Sequence, residues 1–302
     1  MTMQRRIFIR NTAISAGLLA FPGKGFLSGF SEQPPFKIKA LRNNISIFTE
    51  KGGTIAFLVN SDGIVVVDSE FPEQANHLIG ELKKLSGSSV DLLINTHHHM
   101  DHSAGNIAFK GVAQHVLAHT NSKANQERVA KENKIEDQQL YPDQTFGDTW
   151  CEQSAGEKIC LYYYGAGHTN GDSLVHFQHA NIVHMGDLLF NRRHPFIDRS
   201  AGANIKSWIS VLEKAIDKFS RKTLFVYGHA ADGYDVTGNL DDLKAFRDYL
   251  GNLLKFTEAE MKSGKTREEI LKATSIPGSP EWKGDGIDRP LQAAFEELTP
   301  NT

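Results

Sequence analysis

The segment Asn95-Thr96-His97-His98-His99-Met100-Asp101-His102 follows three apolar residues and concentrates side chains that bind metals. In an extended chain alternate residues point to the same side, so His97, His99 and Asp101 are predicted to face one way. A turn into a helix directly afterwards would aim His102 at the same spot. Imidazole and carboxylate groups suit borderline metals such as zinc. The segment therefore predicts a metal site with space for two ions side by side.

Three further polar residues occur abruptly at the ends of apolar runs, namely His168, Asp187 and His229. Each of them directly follows a glycine. Glycine lets the backbone turn sharply at the end of a strand, where α/β sheets present their functional residues. We therefore expect these three residues to join the site, although each of them alone would more often be a hydrogen-bonding loop residue.

Apolar periodicity predicts an α/β arrangement around these residues. Strands are predicted at residues 45–48, 54–60, 64–67, 91–95, 158–164, 173–177, 181–185 and 223–227. An amphipathic helix is predicted over residues 205–219, and the chain is predicted to be helical from Leu240 onward. Thr266 and Glu269 have the spacing of a capping box at a helix start.

The opening segment matches the His-x-His-x-Asp-His motif of the metallo-β-lactamase fold superfamily. A further His, Asp and His follow in the family's order, at His168, Asp187 and His229. Residues 36 to 229 therefore resemble this superfamily. The resemblance implies an α/β fold of the αββα sandwich type, in which two mixed β-sheets are flanked by helices.

The resemblance also implies a ligand set for two zinc ions per chain. One ion would bind His97, His99 and His168, and the other Asp101, His102 and His229, with Asp187 bridging both. A hydroxide shared by the two ions would attack an acyl or phosphoryl centre. Asp101 is the predicted catalytic residue, since it would also orient that nucleophile.

Five further residues are predicted to serve this site indirectly. Asp68 resembles the family's strand-end aspartate that hydrogen-bonds a ligand histidine, and Thr169 and Asp172 are candidates for the same role at His168. Ordinary turn capping is the alternative for all three. His194 and Tyr227 are predicted to line the substrate pocket.

The predicted function is a zinc-dependent hydrolase acting on a small ester, a lactone or a related compound. Asp187 stands where the resemblance implies a cysteine or serine in true β-lactamases, which disfavours β-lactams as the main substrate. A β-lactamase and an iron-dependent sulfur dioxygenase of the same fold are the alternatives. The arginines of residues 191 to 198 are expected either to select an anionic group or to lie in a solvated loop.

The first 33 residues are predicted to be a signal peptide and linker, and residues 34 to 302 a single hydrolase domain. Arg5 and Arg6 precede a short apolar stretch, which resembles a twin-arginine export signal and predicts contact with the export machinery and a periplasmic destination. The apolar stretch is too short for a stable membrane span. Without the four positive charges of residues 1 to 31, the formal charge of −3 becomes −7, which disfavours nucleic acid as a partner.

Cys151 and Cys160 fall opposite each other if residues 155 and 156 form a two-residue hairpin turn. In a non-hydrogen-bonded pair their backbones would be close enough for a disulfide. Two unbridged cysteines remain the alternative at this stage.

Overall fold

The computed structural model describes residues 34 to 299, so the predicted export signal lies outside the described residues. Among residues 34 to 299 there is no helix with the length and apolar character that a membrane crossing requires.

One sheet of seven strands has the same strand order along the sheet as along the chain. Its strands are β1 (Lys37–Ala40), β2 (Ile45–Thr49), β3 (Ile55–Asn60), β4 (Gly63–Val67), β5 (Val90–Asn95), β6 (Ala113–His119) and β7 (Gln144–Phe146). Strands β1 to β4 are antiparallel neighbours, and β4 to β7 are parallel. Every residue of β4 is buried, as expected for a parallel strand covered on both faces.

A second sheet of six strands has the order β15-β13-β11-β10-β9-β8. Its strands are β8 (Thr149–Ser154), β9 (Glu157–Tyr162), β10 (Leu174–Phe177), β11 (Ile182–His184), β13 (Leu224–Val226) and β15 (Thr237–Gly238). A small parallel pair lies apart from it, formed by β12 (Phe190–Asn191) and β14 (His229–Ala230). Within the second sheet only β11 and β13 are parallel.

The helices form the outer layers of the sandwich. They are α1 (Pro72–Leu85), α2 (Met100–Ser103), α3 (Thr120–Asn133), α4 (Ile205–Lys218), α5 (Leu240–Lys262), α6 (Arg267–Ile270) and α7 (Asp288–Leu298). Residues of both sheets share one apolar cluster, a second cluster joins α1 to the first sheet, and a third joins α4, α5 and α7 to the second sheet. This layering is the predicted αββα sandwich with two mixed sheets.

The predicted hairpin is formed by β8 and β9, with Cys151 opposite Cys160. Ala155 and Gly156 both have positive φ, as a two-residue hairpin turn of the type favoured by strand twist requires. The two cysteines are joined by a disulfide.

Most predicted elements match the structure to within two residues, and the capping box at Thr266 and Glu269 is present. The strands that were not predicted are β6 and the short or edge strands β1, β7, β12, β14 and β15. Of these, β6 lies inside the first sheet. Its first half is exposed and only its last four residues are buried, so it has no continuous apolar run.

Candidate metal centre

Parallel pairing explains why the strand-end residues come together. Asp187 follows β11 and His229 follows β13, and these two strands are parallel neighbours. Their carboxyl ends therefore reach the same edge of the second sheet. In the first sheet β5 ends at Asn95, immediately before the histidine segment, and Ser173 donates its backbone N–H to the carbonyl of Thr96 across the two sheets (2.9 Å).

The helical turn α2 brings His102 back to the site as predicted. The backbone N–H of His102 bonds the carbonyl of His99 (2.9 Å), which closes the turn. The extended stretch therefore ends at His99, and Met100, the first residue of α2, lies on the wall of the cavity.

One group of candidate ligands consists of three imidazoles and a carboxylate. Nδ1 of His99 lies 3.1 Å from Nε2 of His97 and 2.8 Å from Nε2 of His168. Oδ2 of Asp187 lies 3.5 Å from Nε2 of His168. Four ring or carboxylate atoms thus converge within 4.8 Å of one another.

A second group lies directly beside the first. Nε2 of His229 is 3.0 Å from Oδ2 of Asp101 and 3.4 Å from Nε2 of His102. Asp187 faces this group too, since its Oδ1 is 3.1 Å from Nε2 of His102 and its Oδ2 is 3.5 Å from Nε2 of His229. The structure thus brings together all seven predicted ligands, with Asp187 between the two groups.

The donor set fits metal ions. Oδ1 of Asp187 is buried and has no hydrogen-bond partner among the described residues, despite its closeness to His102. A buried carboxylate oxygen without a partner is costly, and a cation satisfies it. Five imidazoles and two carboxylates in two adjoining groups are donors that suit zinc.

Electrostatics in the site favour the metal-binding forms of His97, His168, Asp101 and Asp187, but not that of His102. Burial, together with His102, holds the pKa of His97 well below its usual value, and burial lowers the pKa of His168 to about 3. Burial acts to raise the pKa of Asp187, but nearby histidines outweigh it and hold that pKa well below its usual value. Burial also acts to raise the pKa of Asp101, but His102 and His229 outweigh it and lower that pKa to about 2. Burial also acts against a charge on His102, yet the neighbouring carboxylates raise its pKa well above the usual value.

Asp68 occupies the position expected of a residue that orients a ligand. Nδ1 of His102 donates to Oδ2 of Asp68 (2.8 Å), which leaves Nε2 facing the site. The carboxylate of Asp68 also accepts the backbone N–H and the hydroxyl of Thr96, at 2.7 and 2.8 Å.

Thr169 and Asp172 do not hydrogen-bond His168, contrary to the expectation. Asp172 instead accepts the backbone N–H and the hydroxyl of Thr169, at 2.8 and 2.6 Å. The pair caps its own turn, and Nδ1 of His168 donates to the carbonyl of Phe196 (2.7 Å). A backbone carbonyl can come from any residue type, so the sequence does not reveal it as an acceptor. The prediction therefore named Asp172, the carboxylate nearest to His168 in the sequence.

Asp198 is a site residue that the sequence analysis did not identify. Its Oδ2 lies 2.9 Å from Nε2 of His99, whose Nδ1 faces the metal site. The same oxygen is 3.6 Å from Nε2 of His98. A carboxylate on the outer nitrogen of a ligand histidine fixes its tautomer and ring orientation.

A cavity of about 390 Å³ opens over the metal ligands. It is lined by His99, Met100, Asp101, His168, Asp187, Phe190, Arg193, His194, Phe196, His229, Asp285, Gly286 and Arg289. His194 therefore lines the pocket as predicted, and its Nδ1 lies 2.9 Å from the hydroxyl of Tyr249. Tyr227 does not line it. The side chain of Tyr227 is fully buried and its hydroxyl donates to Asp242 (3.0 Å), because β13 directs that residue into the apolar cluster beneath α5.

Comparison with known proteins agrees with this geometry. A model of the family described as Metallo-beta-lactamase superfamily matches residues 49 to 229, which is more than half of the 302 residues. The chain belongs to the metallo-beta-lactamase superfamily. Members of this superfamily are commonly zinc hydrolases, and the matched segment includes all seven candidate ligands.

Two related members of the superfamily are β-lactamases of low identity to this chain. The metallo-beta-lactamase type 2 of Elizabethkingia meningoseptica is 25% identical over 207 residues, which cover 66% of this chain and 80% of that protein. Metallo-beta-lactamase IND-1 of Chryseobacterium indologenes is 26% identical over 212 residues, which cover 66% and 82%.

Solved structures of the superfamily share the fold. A metallo-beta-lactamase from Pontibacter korlensis superposes with a TM-score of 0.60 at 21% identity, covering 72% of this chain and 99% of that one. A double mutant of the sec-alkyl sulfatase PisA1 gives a TM-score of 0.69 at 13% identity, covering 86% of this chain and 49% of that one.

Proposed function

We propose that this protein is an exported di-zinc hydrolase that cleaves a small ester, a lactone or a related bond. The observation that carries the proposal is the position of Asp187 between two adjoining groups of ligands, each with its own histidines. Two zinc ions held there would lower the pKa of a bound water and polarise the oxygen of the scissile bond.

The chain's own residues supply orientation and access. Asp68 and Asp198 fix the rings of His102 and His99 from behind, so that the metal-facing nitrogens are directed inward. Asp101 is about one-third exposed and lies on the cavity wall, where its carboxylate contacts the ligand histidine His229. This position supports the role of orienting the attacking water and receiving its proton.

Hydrolysis of β-lactams is the second candidate, and the names of the related proteins favour it. The chemistry of the site does not separate the two bond classes, because one fold and one metal centre serve several acyl substrates. Asp187 would occupy the bridging position, where the resemblance implies a cysteine or a serine in true β-lactamases. This difference favours an ester or a lactone over a β-lactam.

The deciding experiment combines metal analysis with a hydrolysis screen on protein purified from its own export route. We expect about two zinc ions per chain, from the two-metal arrangement of such sites, and turnover of esters or lactones above turnover of β-lactams. Recovery of mature protein from the periplasmic fraction tests the export proposal. A single iron with oxygen uptake on a persulfide would instead place the protein among the sulfur dioxygenases.

Asp101→Asn separates catalysis from folding. It should reduce turnover by at least about 100-fold, the usual contribution of a positioned acid or base. Asp285→Asn removes a carboxylate from the same cavity without touching a ligand, and turnover should persist. Unchanged turnover in an Asp101→Asn variant that keeps its metal would remove Asp101 from the mechanism.

A further inference from the structure

The cavity over the metal ligands has an apolar side. Phe190 is buried at its base, whereas Met100 and Phe196 are each 46% exposed. Large apolar side chains that stay exposed in a concave site are typical of ligand contact. This side of the cavity therefore suits the hydrocarbon part of a substrate.

Two guanidinium groups from distant parts of the chain line the same cavity. Arg193 follows β12, and Arg289 lies in the first turn of α7, outside the segment that matches the family. Both are exposed. Among residues 34 to 299, neither has a hydrogen-bond acceptor or a carboxylate within salt-bridge distance.

Neighbouring arginines differ, because protein groups neutralise them. Arg192 lies 3.4 Å from Asp242 and stacks on Trp282, and Arg199 lies 3.2 Å from Glu297. Countercharges are thus provided for the arginines beside the cavity and not for those that line it. The exposed Asp285 also lines the cavity, but it pairs with neither Arg193 nor Arg289. If the metal ligands are set aside, the cavity is therefore lined by two guanidinium groups and one carboxylate.

The space continues past these residues. Phe196 and Arg289 also line an adjoining groove of about 270 Å³, together with Ile197, Asp198, Arg199, Ser200, Gln292, Ala293 and Glu296. A substrate longer than the cavity can therefore extend along α7 while it keeps contact with the guanidinium of Arg289.

We propose that the substrate is an amphipathic organic anion. Its apolar body packs on Met100, Phe190 and Phe196, and its carboxylate or sulfate group pairs with Arg193 and Arg289. This inference rests on the proposed hydrolase function and specifies its substrate class. Guanidinium groups form paired hydrogen bonds with such planar or tetrahedral oxyanions, which a single point charge does not.

Binding without turnover tests the inference. Calorimetric titration of the metal-loaded protein would compare 4-phenylbutyrate and 4-phenylbutyl sulfate with the neutral 4-phenylbutanol. We expect the anions to bind more tightly, and Arg193→Met and Arg289→Met each to weaken anion binding by about tenfold, the value of one charge-assisted hydrogen-bonded contact. Binding of 4-phenylbutanol and the thermal midpoint should not change. Whichever anion loses more affinity in the variants identifies the preferred oxyanion.

Arg221→Met is the matched control, since Arg221 is exposed and does not line this cavity. It should bind every probe as the wild type does. Equal affinity for anions and alcohol would overturn the inference, as would anion binding that survives in the double arginine variant, because the anion would then be held by the metal. Failure of the hydrolysis screen would remove the proposed function yet leave this binding difference measurable.

Discussion

Individual side chains of the metal centre differ in how far they can be predicted from sequence. All seven candidate ligands were identified from their types and order, because histidine and aspartate at strand ends are conspicuous in an apolar context. The groups behind them were predicted less well. Asp68 was found through the resemblance. Asp198 lies 99 residues after His99 in the sequence, and Phe196 lies 28 residues after His168. Contacts of that kind depend on how the loop folds.

Asp198→Asn should weaken metal binding, because Asn cannot hold His99 with an ionised oxygen. Loss of such a partner costs about 10- to 100-fold in metal affinity. Zinc competition with a chromogenic chelator measures the change, and a thermal melt shows whether folding is preserved. Asp285→Asn removes a similar charge from the same cavity without contacting His99, so its zinc affinity should match the wild type. Equal affinity in both variants would leave Asp198 with only its role in the turn at residues 199 to 201.

Gly53→Ala should damage the second ligand group. A Cβ at this position would overlap the imidazole ring of His102. The backbone cannot retreat easily, since the N–H of Gly53 bonds the carbonyl of Asp101 (2.9 Å) and Glu70 holds the N–H of Gly52 (2.7 Å).

We therefore expect purified Gly53→Ala to contain less zinc than the wild type by elemental analysis. Gly80→Ala is the control, because a Cβ added there, inside α1, meets no atom of residues 34 to 299 within 4 Å apart from its chain neighbours and the backbone of its own helix. If Gly53→Ala retained the wild-type zinc content, the ring of His102 could shift without losing its metal.

At the scale of elements, the strands that end at the site were the easiest to predict. β4, β5 and β11 are short, mostly apolar and mostly buried strands, each with a polar site residue within three positions of its end. β6 was missed because its first residues are exposed, so that its apolar pattern is incomplete. β7 was missed because it is a strand of three residues at the edge of the sheet. Pairing between strands is also not encoded locally, so the parallel contact of β11 with β13, which joins Asp187 to His229, could only be inferred through the resemblance.

The carboxylate of Glu297 on α7 caps the start of α4 and is almost fully buried. It accepts the backbone N–H groups of Ile205 and Lys206, at 2.7 and 3.0 Å. These are N–H groups that a helix start leaves without partners. Glu297→Ala should therefore reduce the free energy of unfolding by about 1 to 2 kcal/mol, the range for loss of a helix cap. Urea denaturation followed by circular dichroism would measure it.

Glu296→Ala is the matched control for that measurement. Glu296 is exposed, and among residues 34 to 299 its side chain hydrogen-bonds only Gln292, within its own helix. Its substitution should change stability by less than about 0.5 kcal/mol, as usual for surface sites. A similar loss in both variants would show that the effect comes from helix α7 itself and not from the cap on α4.

For the whole molecule, the sequence predicted the sandwich but not the role of the C-terminal helices in the site. The sequence predicted only that the chain is helical from Leu240 onward. In the structure α7 supplies Arg289 to the cavity and Glu297 to α4, while α5 covers the outer face of the second sheet. Their apolar pattern predicts helices, but it does not indicate which surface they cover.

Removal of residues 240 to 302 should therefore abolish cooperative folding, although this deletion leaves the whole family-matched segment intact. The core loses the six buried apolar residues of α5, namely Leu240, Leu243, Phe246, Tyr249, Leu250 and Leu253. Large apolar residues contribute about 2 to 5 kcal/mol each when truncated, so the combined loss reaches or exceeds the roughly 5 to 15 kcal/mol that stabilises a typical domain. Thermal unfolding followed by circular dichroism should show one transition for the full chain and none for the shortened one. Removing residues 1 to 33 instead should leave the midpoint unchanged, since the predicted domain begins at residue 34. A sharp transition in the chain that ends at residue 239 would contradict the single-domain prediction and make the C-terminal helices an appendage.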